Sequence, residues 1–529
     1  MSISRPVLAG SLLCALCSLG PGVPRASAQS RAKPTLLVFI TVDQLREDYL
    51  EKWSSQFSGG LKRLIEGGAF FTNAFQDHAI TETAPGHAST MSGRFPRSTG
   101  ITRNIAGVNN DPNAPLIGVN GLSASPFRFR GTTLTDWLTS ADARTRALSI
   151  SVKDRGAILP IGRSKQQVYW YVGNTFTTSK YYGDSLPDWV KAFDARHLPE
   201  QYAGKTWDLL LSPASYPEPD SVPIENQGRN FIFPKTLPSD SAAAAAVLPA
   251  SPFMDEVLAA FALDGLQRLG LGKGPQTDVL AVSFSPTDYI GHAFGPDSRE
   301  IHDQILRLDR TLGRFLDSLY KLRDPGTVIV ALTADHGVTP LPELSQQRYS
   351  PPPLRVSSRP AVAAARAVLS AAGADTLAVE LESGALFIDP TKSGVTAALV
   401  NAAADSFVAV ARRTPGVLMA ERFASLASHD LGKDVIARRW VQMFPPDIPV
   451  QAVVTLTRGS YPDPFPIVLH GTPHDDDAHV PIVFFGAPFK AGRYAQFIRT
   501  VDIAPTLAQA LGVTPTEPLD GRVLTAALR

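Results

Sequence analysis

Asp335 and His336 stand side by side in ALTADHG (331–337), directly after TVIVAL (327–332), a run of β-branched and apolar residues that reads as a buried parallel strand. Two other apolar runs end in the same way. LLVFITVD (36–43) delivers Asp43, and DVLAVSFSPTD (278–288) delivers Asp288, with His292 four residues on. Carboxylates and imidazoles without cysteine suit zinc or a similar borderline divalent ion. A lone Asp after a strand is ordinarily a turn or cap residue, but three such endings on one chain point to a shared metal centre. Asp288 and His292 project on one face if the strand end runs into a helical turn, so they can share an ion. Asp335 and His336 reach one ion only across a sharp backbone bend, which Gly337 makes cheap, and Asp43 completes that second set. The first set still lacks a ligand, and LHGTPHDDDAHVP (469–481) offers His470, His474 and His479. His78, His87, His197, His302 and His429 read as structural.

Thr83 lies just ahead of Pro85 in ITETAPGH (80–87), where the proline suits a first helical turn. A hydroxyl there meets free N–H groups and the positive end of the helix dipole, which favours an anion such as phosphate. Ser and Thr are also ordinary helix caps, and Thr81 is a rival. A zinc ion bonded to the hydroxyl would lower its pKa and supply an alkoxide nucleophile. Lys153 and Arg155 flank Asp154 in SVKDRG (151–156), directly after a strand, so both cations can reach the same mouth of a sheet. Asn104, in TGITRNIAG (99–107), offers an amide donor.

Strands must carry these residues to one edge. In open α/β sheets, ligands gather beyond the carboxyl ends of the strands. The 36–43 strand is followed by an amphipathic helix at 59–70 closed by Gly67-Gly68, and ARTRALSISV (143–152) reads as a further strand. The aromatic, polar region 168–236 reads as an insertion over the sheet edge, within an edge insertion at about 156–250. Helices at 254–271 and 298–322 bracket the strand of Asp288. After SPPPLRVSSRP (350–360) an Ala-rich helix, a strand near 385–389 and a helix at 394–412 mark a small inserted α+β subdomain, set at 350–440. HVPIVFFG (479–486) and VDIAPTLAQALG (501–512) return to core-type strand and helix, so the main domain spans 29–349 and 441–529.

The chain has 529 residues, 44% of them hydrophobic, and a net charge of +1, which fits a large globular core and gives no reason to expect nucleic acid or an anionic membrane as partner. Residues 1–28 have the marks of an export signal: Arg5, an apolar stretch from Val7 to Leu19 too short to span a bilayer, and the small residues Ala26-Ser27-Ala28. Both cysteines, Cys14 and Cys17, lie inside it without a convincing lipobox, so a periplasmic or secreted protein with no membrane anchor and no disulfide is expected.

The ordered segments VDQLREDYL, TETAPGH, GITRN, VKDRGAILPIG, PTDYIGHAFGP, TADHG and GTPH resemble the alkaline phosphatase superfamily, more narrowly the PafA-type, phosphate-irrepressible alkaline phosphatases of bacteria. The resemblance runs from about residue 35 to the C-terminus. It implies an α/β, alkaline-phosphatase-like three-layer sandwich with a mostly parallel central sheet that hydrolyses small-molecule phosphate monoesters; a monomer is expected. It implies two zinc ions per subunit. Asp288, His292 and His474 would bind one, with His474 preferred for the Gly471-Thr472-Pro473 pattern before it. Asp43, Asp335 and His336 would bind the other, with Thr83 bridging toward it as nucleophile. Asn104, Lys153 and Arg155 would contact the phosphoryl oxygens.

A phosphodiesterase or nucleotide pyrophosphatase of the same superfamily is the nearest rival, and the aromatic stretch QQVYWYVG (166–173) is a conceivable lining for its second ester group. A sulfatase is disfavoured, because Thr rather than Cys or Ser holds the nucleophile position. A non-catalytic zinc-binding protein would not need a hydroxyl, an amide and two cations beside the metals.

Overall fold

The computed structural model describes residues 33–465 and 467–529. The expected export signal lies outside them. The three apolar runs that end in Asp become neighbouring strands, Val328–Thr333, Leu36–Val42 and Asp278–Phe284, paired in parallel with Val38 opposite both Leu280 and Val330. Their β-branched residues are buried on both faces, as a central parallel strand requires. Because the register is even, Asp43, Asp288 and Asp335 all emerge at one edge.

These strands are the middle of a ten-stranded sheet. Ala147–Ser151 and Gln167–Val172 extend it in parallel on one side. On the other side His479–Phe485 runs antiparallel to both Val328–Thr333 and Ala69–Phe75. Alternate side chains of the first strand feed two separate cores. Leu36, Val38, Ile40 and Val42 pack toward helices Phe253–Arg268 and Arg299–Leu322. Leu37 and Phe39 pack toward helices Thr83–Ser92, Leu134–Ala141 and Ile503–Leu511. The result is a three-layer sandwich with a mostly parallel sheet.

Two expected boundaries shift. The stretch Gln167–Val172 is not an insertion over the edge but a strand of the central sheet, followed by the antiparallel Thr175–Thr177. Tyr169 stacks edge-on against Trp189 and Phe261, and Trp170 is buried, so these aromatics line the core and not a ligand pocket. Aromatic and β-branched residues are strand formers whatever their polarity suggests. The inserted subdomain also runs past 440. Its four-stranded antiparallel sheet, in the order Val379–Glu382, Ala385–Ile388, Val450–Leu456, Val417–Arg422, needs the strand 450–456 to close. Helices Arg359–Ala371 and Ala397–Ala411 cover one face of that sheet. Against the other pack Trp440, Phe444 and, from the main domain, Ala79 and Ile80. Among the described residues no single helix is long and apolar enough to cross a membrane.

Candidate active site

Each site residue follows from where its strand stops. Asp43 comes directly after its strand and its N–H donates to the Phe284 carbonyl at 2.9 Å. Asp288 sits in the first turn of helix Pro286–Phe294, opened by proline, which brings His292 onto the same face with Nε2 3.3 Å from Asp288 Oδ1. Thr83 is the first residue of the helix Thr83–Ser92 and is fully buried. Gly86 lets that helix approach the metal-type cluster, since a Cβ there would lie 2.1 Å from the Asp335 carbonyl oxygen. Thr83 Oγ1 thereby comes 3.3 Å from His336 Nε2.

Two ligand sets form at this edge, each with its atoms within 4.8 Å of one another: Asp43, Asp335 and His336, and Asp288, His336 and His470. His292 adjoins the second through Asp288. His470, not His474, is the imidazole that the C-terminal segment supplies, with Nε2 3.6 Å from Asp288 Oδ1 and its ring 5.0 Å from that of His292. The reason lies in which ring nitrogen is satisfied. His292, His336 and His470 each direct Nδ1 at a backbone carbonyl, Val468 at 2.6 Å, Gly337 at 2.9 Å and Thr81 at 2.8 Å, which leaves Nε2 free to face the carboxylates. His474 turns Nε2 to the Leu456 carbonyl at 2.8 Å and His479 turns Nε2 to that of Thr72 at 2.8 Å, so neither joins the cluster. Nothing in the sequence singles out His470 among the three; Gly471, which follows it, takes φ +102°.

The electrostatics show an unbalanced cluster. Burial, then the Asp335 carboxylate, pushes Asp43 well above the usual carboxylate range. Burial would also raise Asp288 and Asp335, but His292 and Lys153 outweigh it for the first and His336 and His87 for the second, and both are held low. Burial and the neighbouring imidazoles His336 and His292 depress His470 strongly, so it stays neutral, the form that binds metal. Lys153 Nζ lies between Asp43 Oδ2 at 2.7 Å and Asp288 Oδ2 at 2.5 Å, one ammonium among three carboxylates. Asp43 Oδ1 is buried and accepts no hydrogen bond. A neutral His470, crowded carboxylates and an orphaned buried oxygen are the donor set a divalent cation satisfies.

The residues expected to bind an anion lie at the same edge. Lys153 caps the short helix Asp154–Ile158 after strand Ala147–Ser151, and the Arg155 guanidinium is held near Asp154, Nη1 to Oδ1 at 3.7 Å. Asn104 Oδ1 accepts the Ala84 N–H at 2.9 Å, which fixes the amide beside Thr83 with its NH2 turned away from that bond. Thr81 is engaged elsewhere, its Oγ1 donating to the Thr472 carbonyl at 2.9 Å.

Three supporting residues carry no sequence pattern of their own. Gln44 holds both sets together: its N–H donates to Asp335 Oδ1 at 3.1 Å and its side-chain amide to Asp288 Oδ1 at 2.8 Å, from a backbone with φ +65°. His87, one helical turn after Thr83, places Nδ1 3.1 Å from Asp335 Oδ2 and Nε2 3.0 Å from Ser283 Oγ. Glu82 accepts the Asn104 N–H at 2.7 Å. Of the histidines expected to be structural, only His87 meets the cluster; His302 pairs with Glu218, His429 with Glu421 and Asp434, His197 with Glu200 and His78 with Gln76.

A family model described as type I phosphodiesterase / nucleotide pyrophosphatase matches residues 37–368, and the chain belongs to that family. Over almost its whole length it is similar to curated bacterial alkaline phosphatases. PhoV of Synechococcus elongatus is 29% identical, covering 96% of this chain and 95% of that protein. PhoK of a Sphingomonas species is 30% identical, covering 93% and 91%. The crystal structure of wild-type alkaline phosphatase PafA matches with a TM-score of 0.86 at 26% identity, covering 94% of this chain and 99% of that one.

Proposed function

We propose that this protein, a phosphatase of the alkaline phosphatase superfamily as its full-length relatives are named, hydrolyses small-molecule phosphate monoesters through a phosphothreonine at Thr83. One observation carries the reading: a buried threonine, two ligand sets and the group Lys153, Arg155 and Asn104 converge at one sheet edge. Asp43, Asp335 and His336 would hold one zinc ion and Asp288, His292 and His470 the other. When bound, the ions supply positive charge that acidifies a hydroxyl and stabilises negative charge on oxygen. Thr83 Oγ1 attacks phosphorus, the P–O ester bond breaks, and the alcohol leaves on the far side. Water then cleaves the Thr83–phosphate bond in the reverse sense. A monoester dianion has three terminal oxygens and a diester two, so two cations and an amide are best explained by a monoester. The export-signal pattern of residues 1–28 supports action outside the cytoplasm.

The family model's description keeps a diester substrate as the second reading. Purified protein assayed on phenyl phosphate and diphenyl phosphate, before and after chelation, separates the two. Monoester preference that collapses in Lys153→Ala/Arg155→Ala supports the phosphatase. Little monoester turnover in the parent, with diester hydrolysis unchanged in the double variant, supports the rival. Thr83→Ala abolishes the phosphoenzyme with metal content intact.

A further inference from the structure

A cavity of about 170 Å³ opens beside His292, on the Asp288 side of the cluster. Ile224, Leu341, Ile467, Val468 and Ala293 form its apolar walls, and Tyr289 with the amides of Asn226 and Gln227 adds its polar atoms. Among the described residues, none lining it is an acid, a lysine or an arginine. Resting on the monoester reading above, we propose that this cavity is the leaving-group subsite, and that it selects esters whose alcohol carries an aromatic group.

Two relationships support this. Thr83 Oγ1 adjoins His336, whereas the cavity adjoins His292, the ligand at the other end of the cluster. In-line displacement puts the departing oxygen opposite the attacking one, so as the Thr83–phosphorus bond forms and the ester P–O bond breaks, the alkoxide leaves toward His292 and takes a proton from water. Size agrees as well, because a space of about 150 Å³ accepts a benzene ring. The Val468 carbonyl is already engaged by His292 Nδ1 at 2.6 Å.

Benzyl and methyl phosphate test the subsite, since their alcohols differ little in acidity and the ratio of their kcat/KM values reads the cavity and not bond strength. The expected ratio is about tenfold or more in favour of benzyl phosphate in the zinc-loaded parent. It falls to near unity in Ile224→Asn, on a partly exposed loop, and in Leu341→Asn. Calorimetry on the same proteins gives a readout without turnover: benzylphosphonate binds more tightly than methylphosphonate in the parent and equally in Ile224→Asn. Equal affinities in the parent, or a preference that neither variant moves, overturns the subsite. If neither ester is hydrolysed, the phosphatase reading fails while the phosphonate comparison still decides the subsite.

Discussion

Ser383 Oγ, at the tip of the inserted subdomain's first hairpin, donates a 2.6 Å hydrogen bond to Glu82 Oε1, and Oε2 of the same carboxylate accepts the Asn104 N–H at 2.7 Å. Ser383 and Gly384 both have positive φ, +47° and +79°, as a two-residue hairpin turn with matching twist requires. Beside them Glu382 pairs with Arg103, the neighbour of Asn104. The insertion therefore reaches the residue that sits beside Thr83.

Removing that link acts on positioning and not on metal. Glu82→Gln is expected to lower kcat/KM for a phosphate monoester about tenfold and Ser383→Ala about threefold, with zinc content unchanged. In Asn104→Ala the further change Glu82→Gln costs little, because the amide it positions is gone. Full additivity in that double-mutant cycle would refute a shared role.

The two candidate histidines of the C-terminal segment separate by metal content. On the proposed two-zinc site, His470→Ala is expected to retain one ion by elemental analysis, with activity lost. His474→Ala retains both and loses only its bond to the Leu456 carbonyl, about 1 kcal/mol of stability. Loss of zinc from His474→Ala with normal binding in His470→Ala would reverse the assignment.

The strands and their terminal Asp residues were legible because apolar runs ending in a carboxylate are local patterns, and the parallel register then aligns Asp43, Asp288 and Asp335 without further information. His470 was not, because its role depends on which nitrogen meets the Thr81 carbonyl, a contact spanning 389 positions. Gln44 and His87 escaped for the same reason: each acts through hydrogen bonds to residues far along the chain. The strand Gln167–Val172 is not legible because its polar and aromatic residues do not alternate like a half-buried strand, yet its burial is nearly complete. The subdomain boundary moved because Val450–Leu456 pairs back across more than sixty positions to Ala385–Ile388.

His87 lies behind Asp335, with Nδ1 3.1 Å from Oδ2 and hydrogen-bonded to the Thr83 carbonyl at 3.0 Å. Groups that orient a metal-binding carboxylate typically affect metal affinity by about 10- to 100-fold. His87→Ala is expected to weaken retention of zinc at the Asp43, Asp335 and His336 set by that order, measured by competition with a chelator. Zinc at the other set is expected to resist the chelator as in the parent. Uniform loss from both sets would mean that the substitution unfolds the edge instead.

Asp255 gives a pH-dependent test of the fold away from the site. It is buried in helix Phe253–Arg268 and accepts from Gln304 Nε2 at 2.8 Å. Burial pushes its carboxyl up to about 8, against the smaller lowering by Gln304. In the unfolded chain it titrates near 4 (roughly the model-peptide value). Between those values the folded protein holds a proton that the unfolded chain has lost, so this group's stabilising contribution is whole below about pH 4, declines as pH rises, and levels off above about pH 8. Asp255→Asn keeps an oxygen for Gln304 and removes the titration. Relative to the parent, the variant is expected to gain stability between pH 5 and pH 9, on the order of 2–5 kcal/mol by denaturant unfolding. A parent-minus-variant difference that stays constant across that range would mean that Asp255 is ionised in the folded protein.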